Sequence, residues 1–406
     1  MKFVLCVLLV VLFLMPFRVT PQEPSVTLRA DTVLDGRGQI LRDTCIVVQG
    51  SKIARVGPCS GRVDYDLRGL TVLPGWIDTH VHLTWHFGPN GRAEDPAETP
   101  QGAALAAAGN AYATLMAGFT TVQCLGNLED RDLRDAIARG VIPGPRVLTS
   151  LDILSERTGD PEQIRSVVRA RKAAGTDVIK IFASKSIREG GGKTMTDAQL
   201  EAACGEAKAQ GLRSIVHAHS SDSVRAAVLA GCTHVEHGLF ATDDDLRLMA
   251  ERGTYFDPQA GLVFHNYFDN KDRYLGIGNY NEEGFAAMAK VMPLAIDLFH
   301  RATMLKNLKL VFGTDAVAGA HGRNAEELIY RVRDAGQTPM DAMISATSLA
   351  AKSLKLDDRI GAIAPGLDAD IIALDGNPLD DITAVRRVVF VMKSGRVYKN
   401  VVSQPR

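Results

Sequence analysis

The chain has 406 residues, 46% hydrophobic and 23% charged, a globular composition that excludes disordered and collagen-like chains. Lys+Arg 46 against Asp+Glu 47 leaves a net charge of -1, without the basic excess of a nucleic-acid binder. The length suits one large barrel with a small companion domain.

Lys2 and the apolar run 3–15 read as the n- and h-regions of a signal peptide over 1–20. This predicts an exported protein, periplasmic or secreted. The run falls short of the roughly 20 apolar residues of a spanning helix, so no stable membrane insertion is expected after signal cleavage. No small-x-small cleavage site precedes Pro21, and an uncleaved N-terminal anchor is the alternative.

From 25 to 73 the pattern is short alternating strands with tight turns, such as Gln49-Gly50-Ser51-Lys52. That texture returns at 370–374, 387–392 and 397–398. Between the two ends, strands at 75–83, 120–125, 146–150, 178–184, 214–219, 233–237, 255–258 and 310–315 alternate with helical patterns. The class is therefore α/β: a (β/α)8 TIM barrel over 74–356. A small β-sandwich-like domain is expected from both termini, 21–73 plus 357–406. Without Cys6, which leaves with the signal, five cysteines remain: Cys45, Cys59, Cys124, Cys204 and Cys232. An odd set lacking C-x-x-C reads as buried single thiols. Cys45 and Cys59 flank a predicted hairpin, and their pairing is the alternative.

Residues suited to chemistry fall at the carboxyl ends of the predicted strands, where barrel enzymes place their sites. Strand one ends Asp78-Thr79-His80-Val81-His82, so His80 and His82 share a face. Strand four carries Lys180 within Val178-Ile179-Lys180-Ile181-Phe182, costly to bury without a partner or a task. Strand five gives His217-Ala218-His219, strand six Glu236-His237-Gly238, and strand eight Gly313-Thr314-Asp315. Singly these are a core histidine, a snorkelling lysine and a turn-forming aspartate. Together, on five strands, they read as a metal site. His234, an odd number of residues from His237, is expected to face outward. His86 reads as loop packing.

This constellation resembles the amidohydrolase superfamily, along with the leading Val72-Leu73-Pro74-Gly75-Trp76-Ile77-Asp78-Thr79-His80 and the closing Gly361-Ala362-Ile363-Ala364-Pro365-Gly366-Leu367-Asp368-Ala369-Asp370. Within it the chain is most similar to the imidazolonepropionase-like group, which includes prolidase-like Xaa-Pro dipeptidases and ochratoxin-type amide hydrolases. The resemblance implies two divalent metal ions, His80 and His82 on the first, His217 and His237 on the second. Lys180 would carry a CO2-derived carbamate bridging both, and Asp315 would bind the first ion and act on the water. Nitrogen and oxygen ligands suit Zn2+. A carbamate requires a neutral amine, which burial favours. His219 is then left for the substrate oxygen, an oxyanion role. The alternative makes His219 the ligand in place of His217.

The implied activity is hydrolysis of the amide bond of a dipeptide or N-acyl amino acid by metal-activated hydroxide. A cyclic-amide (imidazolone-type) hydrolase with one metal is a second reading, against which the bridging lysine and four barrel histidines argue. An inactive binding protein is a third, opposed by the retention of Asp315. The substrate is a small molecule, and homo-oligomers are expected because relatives commonly assemble. A terminal carboxylate would be held by arginine or several donors, and Arg188, His321 and Arg323 are the residues available near strand ends. Gly190-Gly191-Gly192 reads as a flexible lid. After strand three, 151–159 departs from the Gly- and His-containing loop of many relatives.

Overall fold

The computed structural model describes residues 25–402; the signal-peptide reading over 1–20 lies outside them. Eight parallel strands carry the functional residues: β1 (Trp76–Val81), β2 (Phe119–Cys124), β3 (Arg146–Thr149), β4 (Val178–Phe182), β5 (Arg213–Ser220), β6 (His234–Phe240), β7 (Tyr255–Asp257) and β8 (Lys309–Leu310). They form two sheets, β1-β2-β3 and a second running from Ile153–Leu154 through β4 to β8. Backbone hydrogen bonds cross both seams. Asp177 N donates to Thr149 O at 2.9 Å between β3 and β4. Thr79 N donates to Phe312 O at 3.0 Å, and Asp315 N to His80 O at 2.8 Å, between β1 and the segment after β8. Val81 and Ala316 add a parallel bridge there.

Every residue of β1 and β2 is buried, as expected for parallel strands covered on both faces. Val216, Val235 and Phe256 pack outward against Leu200, Leu246 and Leu298 of the flanking helices. The helices start where capping chemistry permits. Thr196 accepts from Gln199 N, and the Gln199 side chain reaches back to Thr196 N, opening Asp197–Ala209. Regular pairing of β8 ends at Leu310, short of the expected 310–315, because the chain turns to hand its backbone to β1. Five helices had no counterpart in the sequence reading: Asp130–Ala138, Leu262–Asp269, Lys271–Tyr274, Pro339–Ser345 and Ser348–Ser353.

Both ends of the chain build one eight-stranded sheet. Ile371–Leu374 runs antiparallel to Thr71–Pro74, with Ile372 opposite Leu73, and Thr71–Pro74 in turn pairs with Ser25–Leu34. All four residues of each strand at this junction are buried. Arg146 at the start of β3 ties the sheet to the parallel strands through Asp368 and Asp370, each at 2.9 Å.

The cysteines correct the single-thiol expectation. Cys45 pairs with Cys59 and Cys204 with Cys232, leaving Cys124 free and buried. In the hairpin Cys45 faces Gly57, which puts Cys59 within reach, so the sequence alternative describes this pair. The second pair joins positions 28 residues apart, Cys204 in helix Asp197–Ala209 and Cys232 in the turn before β6, a proximity created by packing. Among the described residues no helix is long and apolar enough to cross a membrane.

Candidate metal centre

Five strand ends deliver two groups of donors to one cavity. On one side His80 Nε2 lies 3.2 Å and His82 Nε2 3.0 Å from Asp315 Oδ1. Lys180 reaches up from the middle of β4 to put Nζ 3.3 Å from His80 Nε2. On the other side stand three imidazoles. Ring centroids are 4.5 Å apart for His217–His219, 4.7 Å for His217–His237 and 4.8 Å for His219–His237. His80 and His237, 5.7 Å apart, join the two sides. Within His80/His82/Asp315 and within His217/His219/His237, ligand atoms lie within 4.8 Å of one another. Clustered nitrogen and oxygen donors of this kind fit a divalent transition metal.

The backbone is bent to achieve this. Asp315 and His237 both adopt left-handed conformations, φ 52 and φ 64, unusual for residues with a Cβ and common where a site constrains the chain. Asp78 holds the first bend. Its fully buried carboxylate accepts from His80 N (3.1 Å), Thr314 N (3.1 Å), Thr314 Oγ1 (2.7 Å) and Asn324 Nδ2 (2.8 Å). Strand β1, with His80 in it and His82 just past its end, is thereby pinned to the turn that carries Asp315.

Charge is distributed unevenly over the centre. Burial would raise the Asp315 carboxyl, but nearby His80, His82 and Lys180 outweigh it and hold it ionised. Burial pushes His217 and His237 well below the usual imidazole range, and their neighbours push the same way. His219 is lowered by burial to about 3. These three rings are therefore neutral and keep lone pairs for a ligand or an N–H for a substrate.

Glu236 is the residue the sequence reading left without a role. Its carboxylate, 1% exposed, pairs with Lys180 Nζ, and Oε1 lies 3.0 Å from His80 Nδ1. Burial opposes the charge, yet His80 and Lys180 hold the carboxyl at about 2. A carboxylate behind a ligating imidazole fixes which nitrogen faces the metal. The parity argument that turned His234 outward also needs correcting. Residues two apart on a strand share a face, so His234 lies on the same face as Glu236, toward the interior, and is 2% exposed. His237 is the exception, because its positive φ re-aims it at the end of β6.

The cavity, about 220 Å³, is lined at its base by the histidines, Lys180 and Asp315, and above by Phe182, Val263, Phe264, Tyr267, Tyr280 and Arg188. Arg188 is thus brought to the centre. His321 and Arg323 are not. His321 Nε2 donates to Trp85 O at 3.0 Å, and Arg323 pairs with Glu326 (3.0 Å) and Asp269 (3.3 Å) beside a separate depression. The segment read as a flexible lid is a packed turn: Lys185 N donates to Gly192 O and Thr194 N to Ala183 O. Gly191, φ +68, presses so closely that a Cβ would lie 2.7 Å from His219 Cβ. His86 pairs with Glu98 at 2.7 Å, in keeping with loop packing.

The model of the amidohydrolase family matches residues 71–398. Ochratoxinase from Aspergillus niger is 26% identical, covering 93% of this chain and 87% of its own length. Imidazolonepropionase from Rhodococcus jostii is 27% identical, with 85% of each chain covered. A crystal structure of a Xaa-Pro dipeptidase with bound methionine in its active site superposes with a TM-score of 0.84 at 30% identity, covering 93% of this chain and all of that one. By the span of that match and the donors gathered at its strand ends, the chain belongs to the amidohydrolase family and is a hydrolase of C–N bonds.

Proposed function

We propose that this protein is a binuclear metal-dependent hydrolase that cleaves the amide bond of a dipeptide or an N-acyl amino acid. The two parallel sheets are the two arcs of one (β/α)8 barrel, with the sheet built from both ends as a companion domain. One observation carries the reading: Lys180, in an otherwise apolar strand, places Nζ beside His80 Nε2 at the meeting of the two donor groups. A mononuclear cyclic-amide hydrolase has no use for a lysine there. Ochratoxinase and the Xaa-Pro dipeptidase, both amide hydrolases by name, support the substrate class.

His80, His82 and Asp315 would hold one ion, His217 and His237 the other, and Lys180 both. For that bridge the Lys180 amine bonds the carbon of CO2 and loses a proton, giving an anionic carbamate. Zn2+ ions bound there would acidify water and polarise the scissile carbonyl. Asp315, kept ionised by His80 and His82, would accept the water's proton and return it to the leaving nitrogen. His219, neutral and buried at the cavity wall, donates its N–H to the oxygen that becomes anionic. Two disulfides suit an oxidising compartment, which supports export under the signal-like run at 1–20.

The test is metal content together with hydrolysis of a panel of dipeptides and N-acyl amino acids, for the wild type and Asp315→Asn. We expect two ions per chain in both proteins and turnover lower by about 10²–10⁴ in the variant. One ion per chain with turnover confined to cyclic amides would favour the imidazolone-type reading. Wild-type turnover in Asp315→Asn would end the proposed mechanism.

A further inference from the structure

Strand β7 and the segment after β8 stop pairing before they reach the cavity. Val311 N donates to Phe256 O at 2.9 Å. In a parallel ladder the next donor, to Val311 O, is the N–H of residue 258, and Pro258 has none. The donor to Gly313 O would then be Ala260 N, but that group donates to Glu327 Oε1 at 2.6 Å. Two carbonyls on the way to Asp315 therefore lack their strand donors.

Arg331 serves both. It extends, fully buried, from the helix Glu326–Arg333. Nη1 donates to Val311 O at 2.8 Å, and Nη2 to Gly313 O at 3.1 Å and Asp257 Oδ1 at 3.0 Å. Nε donates to Glu327 Oε1 at 3.3 Å. Gly313 is needed beneath this fork, because a Cβ there would overlap Asp257 Oδ2. Neutralising the two carboxylates asks only for a cation, whereas holding two carbonyls at once asks for a rigid planar fork. One turn earlier on the same helix, the Glu327 carboxylate accepts from Ala260, Gly261 and Leu262 N at 2.6, 3.0 and 2.9 Å. These groups open helix Leu262–Asp269, whose Val263, Phe264 and Tyr267 line the cavity.

We propose that Arg331 is a positioning residue for Asp315: its guanidinium replaces the missing strand donors and sets the turn from which the carboxylate meets His80 and His82. This rests on the role given to Asp315 above and deepens it. Arg331 touches neither the cavity nor the metal donors and acts through the backbone of 311–315. Glu327, four residues before it, sets the cavity wall. One helix outside the barrel thus holds the reacting carboxylate with one side chain and the substrate wall with another.

The experiment compares the full wild-type chain with Arg331→Lys, which keeps the charge beside Asp257 and Glu327 and loses the fork. We expect the variant to fold and to unfold near the wild-type temperature. On the fastest substrate of the dipeptide and N-acyl amino acid panel, kcat falls by about 10²-fold with KM little changed, the effect of a misplacement of about 1 Å. Co2+ titrated into the metal-free protein binds at one site about 10–100-fold more weakly. Adding Pro258→Ala returns an N–H toward Val311 O, and Arg331→Lys/Pro258→Ala recovers part of both losses. Wild-type kcat and cobalt affinity in Arg331→Lys overturn the proposal, since charge alone would then suffice. An Arg331→Lys chain that does not fold, or whose losses Pro258→Ala leaves untouched, marks a merely structural role and overturns it too. If no compound of the panel is cut, the amide-hydrolase reading fails and the cobalt titration still decides. Weakened and rescued binding then supports the positioning role, and unchanged binding overturns it.

Discussion

The two sides of the centre are built on opposite electrostatic plans. Around His80 and His82 the donors are enclosed by ionised groups, Asp315 and Glu236 against Lys180. The group His217, His219 and His237 consists of neutral rings stacked edge and face, and a carboxylate, Glu236, comes within ligand distance of it only at His237. A buried charge is tolerable only when paired, so the first side is a closed network in which each member depends on the others. The second side consists of groups made neutral by burial, each removable without stranding a charge. Substitution should therefore be felt unequally across the cavity.

The largest effect is expected at Lys180, the one group that would belong to both sides. Lys180→Ala removes the proposed bridge. Loss of both ions and of activity is expected, with partial recovery when a short carboxylic acid is added to occupy the bridging position. Metal per chain and turnover, measured with and without acetate, report this. Retention of two ions and near-normal turnover without additive would break the comparison at its centre.

Within the imidazole side, the proposed reading makes His217 a ligand and His219 the oxyanion donor. His219→Ala should lower kcat by about 10²–10³ while two ions stay bound, whereas His217→Ala should release an ion. The reverse pattern would exchange their roles. The geometry alone treats the two rings alike, since both stand within reach of His237.

How much of this was legible in the sequence follows from what is local. His80 and His82, Lys180, His217 and His219 were readable because strand parity and strand ends are short-range properties, and so was the joining of both termini in one sheet. Parity failed at β6. The positive φ of His237 inverts the pattern over one residue, which sent His234 to the wrong face. The Asp78–Thr314–Asn324 clamp spans 236 positions between its first two members and leaves no local trace. Nor did Tyr267 and Tyr280 announce themselves, since helix Leu262–Asp269 and the turn after it come to the cavity only through packing. Arg323 was misleading for the complementary reason: a charged residue after β8 looked free, and Glu326 three residues on takes it.

Glu236→Gln offers a subtler probe of the charged side. The amide still presents an oxygen toward His80 Nδ1 but carries no charge for His80 or Lys180. Removing such a supporting partner typically costs 10–100-fold in metal affinity. We expect a loss of about that size, read by competition with a chelator, with the fold intact by circular dichroism. The change should fall on the ion held by His80 and His82, so a cobalt-loaded protein should show one altered site. Unchanged affinity for both ions would reduce Glu236 to a filler of the core.

The smallest expected effect lies at the foot of β6, where His234 shares a strand with Glu236 and stands outside the donor groups. Its ring stacks on Tyr255 at 4.9 Å, and Nδ1 meets Thr233 Oγ1 at 3.1 Å. Burial lowers it from 6.5 to about 3, with Arg213 and Lys309 pushing the same way and Glu236 opposing. In the unfolded chain this imidazole takes a proton below its ordinary value, while in the folded chain it stays neutral until about pH 3. The unfolded state thus binds more protons across that window, so stability falls as pH is lowered through it, by at most about 1.4 kcal/mol per pH unit for one group. His234→Phe keeps a ring against Tyr255 and removes the titration. The variant's unfolding free energy, followed by urea denaturation from pH 7 to 4, should therefore decline less steeply than the wild type's. Parallel slopes would mean that His234 is already solvated or paired in the folded protein. In that case the neutrality of the three cavity imidazoles, which rests on the same burial, would need its own measurement by NMR titration of the metal-free protein.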